Sequence, residues 1–554
     1  MKIYFTGWHG FENHRGIHLI PERIFNSESS KSRSEFLFDI YYVKSKNFSK
    51  KIGLIKVLVN GYENTEFYFK MHGEKIKGPE NYDVFDVTKL FKSPSIVTMP
   101  VNIDYYKAIA SLFSEESAEA FLRDIRDISY YKEDIRKYTK WLNFNEGFFR
   151  DGSSNRSILV RGADIATRNY KMKGNVRIVL NSIENSFEPF EFNFNKKKRF
   201  PEDINLLIGK NGLGKTHILK HVCEIFTGLK NSVSKPLLNK VVVVSFSPFE
   251  SFLTKREITE LINLKNKDGL SVKNEYPSAI EDYSYIGFRN FDGDFEKSWP
   301  QFFAARSIVE AIKYDNEIAW WQEGEYSKFE TIFSTLALSM DFDSIELKTI
   351  KGKSIFLNLN NFKNMDFDDE DEINYQEGAA FIKDFLPVKM SSGQKIFSYI
   401  IPSIISEIQD ETLLIIDEPE LYLHPALEVG LVEMLKKVLL KTKSFSIIAT
   451  HSAVMAREVS RNCVRILRDS AYGTRIDKPS IETYGESLDE IIGEVFDDYS
   501  LKKPYQYEID EMVLLSTNLP DLLKSISKNI GDDALVYLMS KLNRKDQIKL
   551  EEPK

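Results

Sequence analysis

The eight residues Gly209-Lys210-Asn211-Gly212-Leu213-Gly214-Lys215-Thr216 constrain this chain more than any other feature. They match G-x-x-x-x-G-K-[ST] in full. The apolar run Ile204–Ile208 leads in, and Thr216–Gly228 leads out with Ile218, Val222, Ile225 and Phe226 on one helical face. A strand turning through glycines into a helix lets the backbone wrap a phosphate closely. Successive N–H groups and the positive helix end, roughly +0.5 charge, then face that phosphate. Lys215 adds a full positive charge, and the Thr216 hydroxyl is a candidate Mg2+ ligand. A chance glycine turn would not bring strand, helix, lysine and threonine together.

Length and composition frame this loop. A chain of 554 residues exceeds one ordinary core, so two or three domains are expected. An apolar fraction of 42% and a mean hydropathy of -0.32 suit a globular protein. No window approaches the roughly eighteen apolar residues of a membrane span, and the N-terminus lacks a signal-peptide core. Cys223 and Cys463 are the only cysteines and have no metal-ligand spacing, which fits inert core thiols in a reducing cytoplasm. A net charge of -7 gives no global pull towards nucleic acid.

Residues 1–171 read as an N-terminal α+β region. Lys2–Phe5, Glu35–Val43, Ile52–Val59 and Glu66–Met71 have strand character, and a helical stretch runs from about Tyr105 to Trp141. Asp151–Asn155 reads as an exposed joint. Trp8–His9, His14 and His18 lack metal-binding spacing and read as surface or capping residues. Further on, Val176–Leu180 and Phe190–Phe194 look like paired strands, with the basic quartet Lys196–Arg199 as a solvated hairpin tip. Val241–Phe246, Leu413–Ile416 and Phe445–Ala449 are continuous apolar runs that suit strands buried on both faces. The stretch from about 252 to 387 reads as an insertion, and its acidic run Asp366–Glu372 as a solvated loop.

Three further motifs follow. Leu413–Ile416 would carry the chain through a sheet to Asp417, a candidate Mg2+ ligand, with Glu418 beside it to orient or deprotonate water. Ser391-Ser392-Gly393-Gln394 opens an apolar helical run and, read alone, is a helix cap. His451 directly follows the Phe445–Ala449 strand; a lone histidine there would usually be a satisfied polar residue.

In this order the loop, Ser-Ser-Gly-Gln, Asp-Glu-Pro-Glu-Leu-Tyr-Leu-His-Pro425 and Ala449-Thr-His451-Ser resemble the ABC-type ATPases. The Asp417–Pro425 stretch is closer to OLD- and SMC-related bacterial ATPases than to transporter subunits, which generally carry Leu-Ser-Gly-Gly-Gln where this chain has Ser392. Ser245–Phe249 and Thr483–Leu488 are similar to stretches in ATPases of anti-phage systems such as Septu and certain retrons.

The resemblance implies an α/β fold: an ABC-type P-loop ATPase head at 172–498 with the insertion, behind the N-terminal α+β region, and a helical tail at 499–554. It implies ATP and Mg2+ as cofactors, Glu418 and His451 at the γ-phosphate, and Ser391–Gln394 completing the site of a second copy. That arrangement is a head-to-tail dimer or higher oligomer. No Q-loop glutamine can be placed after Val241–Val244, and no HNH or TOPRIM nuclease signature is present. The expected role is therefore a cytoplasmic sensor or scaffold ATPase that leaves destruction to an effector nuclease, with nucleic acid as a further candidate partner and no membrane. The rivals are a DNA-repair or end-clamping ATPase, and a nucleotide-binding scaffold with negligible hydrolysis.

Overall fold

The computed structural model describes the chain outside residues 7–13, 23–35, 78–82, 143, 145–147, 150–152, 172–173, 182–186, 201, 231–235, 248–249, 268–281, 320–325, 366, 368–372, 471–472, 497–501, 517–518 and 552–554. Trp8–His9, the start of the Asp151–Asn155 joint, Pro248–Phe249 and all of the acidic run except Phe367 lie outside the described residues.

The N-terminal part builds one sheet from β1 (Ile3–Thr6), β2 (Gly16–Pro21), β3 (Leu37–Ser45), β4 (Phe48–Val59), β5 (Glu74–Lys77), β6 (Asp83–Asp86) and β7 (Ile96–Pro100), in the order β5-β6-β1-β2-β3-β4-β7. Its helices are α1 (Thr65–His72), α2 (Asp104–Leu112), α3 (Glu115–Asp124), α4 (Ile135–Tyr138) and α5 (Ser153–Ala166). The strand expected at Glu66–Met71 is instead part of α1. Asn64 caps it by accepting the Phe67 N–H at 2.7 Å, Glu66 pairs with Lys70 one turn on, and Phe69 enters the core. The apolar alternation there suited a strand, but the local cap and ion pair favour the helix. The long helical stretch expected after Tyr105 breaks at Phe113, where Ser114 caps α3. His18 stacks on Tyr4 at 5.0 Å, and burial lowers its pKa to about 4.

A hairpin of β8 (Asn175–Leu180) and β9 (Phe190–Asn195) leads into the second sheet. That sheet contains β10 (Ile204–Gly209), then α6 (Lys215–Thr227), β11 (Lys240–Ser245), α7 (Lys255–Lys267) and β12 (Tyr283–Gly287). After α8 (Trp299–Lys313) and α9 (Lys328–Ala337), a small antiparallel sheet forms from β13 (Ser344–Lys348), β14 (Ser354–Leu357), β15 (Ala380–Lys383) and β16 (Leu386–Pro387). The chain then runs through α10 (Ser392–Glu407), β17 (Thr412–Asp417), α11 (Pro425–Lys441), β18 (Phe445–Thr450), α12 (Ala453–Arg457), β19 (Val464–Arg468), β20 (Arg475–Asp477) and α13 (Leu488–Val495). The sheet order is β12-β11-β17-β18-β10-β19-β20, parallel throughout except for β20.

The continuous apolar runs are explained by this layering. In β10, Leu206 and Ile208 pack towards α8, α10 and α11, while Leu207 packs towards α6 and the β8–β9 hairpin. A strand covered by helices on both faces has no polar side to alternate with. The 252–387 stretch is interleaved with this sheet, since β12 forms its edge and α8 and α9 pack along α10. The quartet expected as a solvated tip is only partly so. Lys196 is half-buried, donates to the Leu439 and Ser444 carbonyls at 3.0 and 2.9 Å, and pairs with Asp203 at 3.1 Å. It ties the hairpin to the start of β18.

The tail is α14 (Pro504–Leu515), α15 (Leu519–Ile526) and α16 (Asp532–Glu551), packed around Ile509, Val513 and Leu538, with Leu514 and Leu515 exposed. Among the described residues no helix is long and apolar enough to cross a membrane.

The two sheets meet at the turn between α10 and β17. Lys107 of α2 lies 2.7 Å from Asp410 and 2.9 Å from Asp104. Arg161 of α5 pairs with Glu411 and donates to the Leu237 carbonyl at 2.8 Å, and Tyr170 donates to Glu411 at 2.8 Å.

Candidate active site

Parallel strands deliver their C-terminal ends to one edge, and the glycine loop, Asp417–Glu418 and His451 each lie at such an end. At the end of β10, Gly209 runs so close to β19 that a Cβ there would sit 2.7 Å from Leu467 Cβ. Gly212 and Gly214 take φ of 84° and 91°, a left-handed backbone that side chains disfavour. Lys210, Asn211 and Leu213 complete the turn, with Lys210 exposed and the Leu213 carbonyl accepting from the Thr474 hydroxyl at 3.2 Å. The loop closes into α6 at Lys215.

Lys215 is buried. Its ammonium donates to the Gly209 carbonyl at 2.9 Å and to His451 Nε2 at 2.6 Å, and lies 3.8 Å from Glu418 Oε1. Burial lowers the pKa of both Lys215 and His451, and the lysine's charge lowers the histidine further. A neutral imidazole accepting from the ammonium accounts for the short contact. His451 Nε2 is also 3.7 Å from Glu418 Oε1.

The Thr216 hydroxyl donates to Asp417 Oδ2 at 2.9 Å. Asp417 Oδ1 is buried without a hydrogen-bond partner. Burial raises the Asp417 carboxyl to about 6, and the nearby Glu418 and Glu250 carboxylates push in the same direction. An orphaned carboxylate oxygen beside a hydroxyl fits a hard divalent cation, which takes oxygen ligands. Glu418 has φ of 47°, and its N–H donates to the Ala449 carbonyl at 2.9 Å. A non-glycine residue held left-handed at a strand end is strain of the kind found at functional sites.

Thus Lys215, Thr216, Asp417, Glu418 and His451 form one hydrogen-bonded and ion-paired group. Ser391–Gln394 stands apart from it. Ser391 caps α10, accepting the Gln394 N–H at 3.3 Å, while Gln394 Oε1 accepts the Ser391 N–H at 2.9 Å. Gln394 Nε2 also donates to the Ser339 carbonyl at 2.7 Å. Ser391 and Ser392 are exposed, and a Cβ at Gly393 would come within 2.8 Å of the Tyr422 carbonyl. Among the described residues no hydrogen bond or ion pair joins Ser391–Gln394 to Gly209–Thr216.

Two carboxylates join the edge that sequence reasoning had not singled out. Glu420 accepts the His451 N–H and so fixes the end of β18. Glu250 follows β11, accepts from the Tyr285 hydroxyl at 2.7 Å and the Phe252 N–H at 2.5 Å, and has a pKa raised by burial. Its signal was an acidic residue just past a buried strand, where a glutamine was being sought.

Residues 329–456 match a family model described as AAA domain, putative AbiEii toxin, Type IV TA system. That span includes Ser391–Gln394, Asp417, Glu418 and His451, though not the glycine loop. The chain is similar to protein ea59 of Escherichia phage lambda, at 25% identity over 81% of this chain and 83% of that one. Among solved structures it is similar to an RNase-L inhibitor at 12% identity and TM-score 0.24, covering 55% of this chain and 39% of that one. The chain thus spans less than half of that structure. It is also similar to the SMC head domain from Thermotoga maritima at 12% identity and TM-score 0.26, covering 56% and 100%. The glycine loop and the carboxylates gathered at one edge of a parallel sheet support a P-loop nucleotide-binding fold, and the family match is to an AAA domain.

Proposed function

We propose that this chain binds ATP with Mg2+ and hydrolyses it in sites shared between two copies, as the sensor or scaffold ATPase of a bacterial anti-phage system that controls a separate effector nuclease. The observation that carries the ATPase reading is the group Lys215, Thr216, Asp417, Glu418 and His451 at one sheet edge.

In this reading Gly209–Thr216 wraps the β-phosphate with backbone N–H groups, and Lys215 leaves its internal acceptors for the β and γ phosphates. Thr216 and Asp417 hold Mg2+, which when bound neutralises phosphate charge. Glu418 orients and deprotonates the attacking water, and His451, already neutral, accepts or donates at the γ-phosphate according to tautomer. Ser391–Gln394 of a second copy closes the site with the N-terminus of α10. Among the described residues no hydrogen bond or ion pair joins the two halves within one chain, which supports a shared site.

Phosphate release by the intact chain, against Lys215→Ala and Glu418→Gln, tests the enzyme. Release that is equal in all three chains rejects it.

The defence role is supported by the resemblance to defence ATPases, by a matching family described with a putative toxin, and by a phage-borne relative. Its test is phage plaquing on cells carrying the native gene neighbourhood, compared with Lys215→Ala and with loss of the adjacent gene. Protection that never appears, or that survives both changes, refutes the role.

A further inference from the structure

The basic turn Lys196–Arg199 and the stretch Thr483–Leu488 take no part in the nucleotide site, yet the fold brings them together. The turn precedes β10 and Arg461–Cys463 precedes β19, so both lie at the strand ends opposite the glycine loop. There the Phe200 and Tyr484 rings lie 5.1 Å apart at a tilt of 37°. Neither is buried: Phe200 is 57% exposed and Tyr484 43%. The Arg199 guanidinium stands 6.0 Å from the Phe200 ring centre, and the Lys436 ammonium of α11 stands 5.4 Å from that of Tyr484. Two exposed rings in contact, each with a cation beside it, offer π faces and positive charge on one surface.

Hydrogen bonds join the pieces of this surface. The Glu482 carboxylate accepts from the Tyr484 N–H at 3.2 Å and from the Arg461 N–H at 2.9 Å. Glu202 pairs with Lys198 and accepts from Asn462 at 3.5 Å, which ties the turn to the start of β19. The Gly485 N–H donates to the Arg457 carbonyl at 2.8 Å. The charges are sorted by side. Beyond Tyr484 lie Glu482 and Glu486, with Asp489 and Glu490 at the exposed start of α13. Between the two sides Glu458 is taken up by Lys436 at 3.1 Å and Arg457 at 3.8 Å. On the Phe200 side Glu202 is engaged by Lys198, whereas Lys197 and Arg199 are exposed and, among the described residues, have no carboxylate partner. The Arg461 guanidinium donates to the neutral Ser480 carbonyl at 3.2 Å.

We propose that this surface binds single-stranded nucleic acid, with unpaired bases stacking on Phe200 and Tyr484 and phosphates meeting Lys197, Arg199 and Arg461. The inference goes beyond the ATPase reading and stands without it. Every base has a π face, so stacking on rings tolerates any sequence, while cations follow the backbone. A duplex fits poorly because its bases are already stacked on one another. An acidic peptide would engage the cations and leave the rings unused. The sorting of charge gives the strand a lane: its backbone runs along the Phe200 side, away from the carboxylates beyond Tyr484.

The test uses the full chain without nucleotide and a labelled, unstructured strand of about 15 nucleotides, read by fluorescence anisotropy. Parallel arms carry the strand as DNA, as RNA and as a duplex, and a fourth carries polyglutamate. The strand should bind, the duplex at least tenfold more weakly, and affinity should fall as salt rises. Phe200→Ala and Tyr484→Ala should each weaken binding about tenfold, while Phe200→Tyr, which keeps a ring, should retain it. Arg199→Gln should weaken binding and flatten the salt dependence. Binding of either strand with these variant effects supports the platform, and the preference between DNA and RNA names its source. No binding of either strand, equal binding by both alanine variants, or tighter binding of duplex or polyglutamate overturns it.

Discussion

Substituting Lys107 with methionine should unfasten the N-terminal sheet from the head, at a magnitude that the structure sets. The Lys107 ammonium lies between the buried Asp104 carboxylate at 2.9 Å and the half-buried Asp410 carboxylate at 2.7 Å, and Asp104 also accepts from Tyr314 at 3.1 Å. This pairing holds the Lys107 pKa well above its ordinary value and the Asp104 carboxyl below its own, whereas burial raises Asp410. Removing one partner of a buried ion pair costs about 3–5 kcal/mol, because a charge is left without compensation. Here two carboxylates would be left facing each other, and one of them is expected to take up a proton. Its folded pKa would then stand above the unfolded value near ~3.9, so the penalty is full above that raised pKa and fades as pH falls. The deficit of Lys107→Met should therefore be larger at pH 8 than at pH 5. Urea unfolding followed by fluorescence and circular dichroism should show a midpoint lower by roughly 1 M or more at pH 8. Adding Asp410→Asn should recover about 1–3 kcal/mol. ATP affinity should hold within a few-fold, since Asp417 lies roughly 16 Å further along the strand at about 3.3 Å per residue. A loss below about 1 kcal/mol, or a double variant as weak as the sum of the singles, would refute the reasoning.

The site makes three further predictions. Lys215→Ala should abolish ATP-induced stabilisation, worth about 2.7 kcal/mol at a hundredfold excess over Kd, while leaving the empty chain no less stable because a buried charge is removed; calorimetry with unchanged affinity would contradict it. Glu418→Gln should retain ATP yet slow phosphate release by about 10²-fold or more, and a normal turnover would assign the base elsewhere. Lys215→Ala and Ser392→Arg chains, each inactive alone, should on mixing regain one working site per mixed dimer; full per-site activity in a verified monomer would exclude sharing.

What the sequence made legible follows from how local each signal is. β10, β11, β17 and β18 are buried at every position, so their apolar runs stood out without neighbours. The glycine loop, Asp417 and Glu418 were readable as candidates because each directly follows a continuous apolar run and they occur in a set order along the chain. β2 carries His18 and Pro21 inside a strand, and Glu66–Met71 alternates like a strand although an Asn cap sets a helix, so neither followed from periodicity. Contacts across the fold were less accessible still. The bond between Lys215 and His451 spans 236 positions, and the inward turn of Gln394 to Ser339 depends on α9 lying beside α10. Glu250 had no motif, because its meaning comes from β11 lying next to β17.

One element then links the two halves of the molecule. α10 begins at Ser392 and ends at Glu407, so its 16 residues span about 24 Å at about 1.5 Å per residue. Its first turn presents the segment proposed to meet a partner's nucleotide. Just past its last turn, Asp410 and Glu411 hold Lys107, Arg161 and Tyr170 of the N-terminal part. The N-terminal part is thus tied just beyond the C-terminal end of this helix, and α8 and α9 of the 252–387 stretch pack along its side. Pro402 lies inside α10, so the two ends are joined through a point where a helix readily kinks. In the proposed shared site, docking at one end would reach the ion-paired end through this helix, provided ATP favours the paired arrangement by a few kcal/mol. Lys107→Met should accordingly leave ATP turnover in place and silence whatever the N-terminal sheet controls.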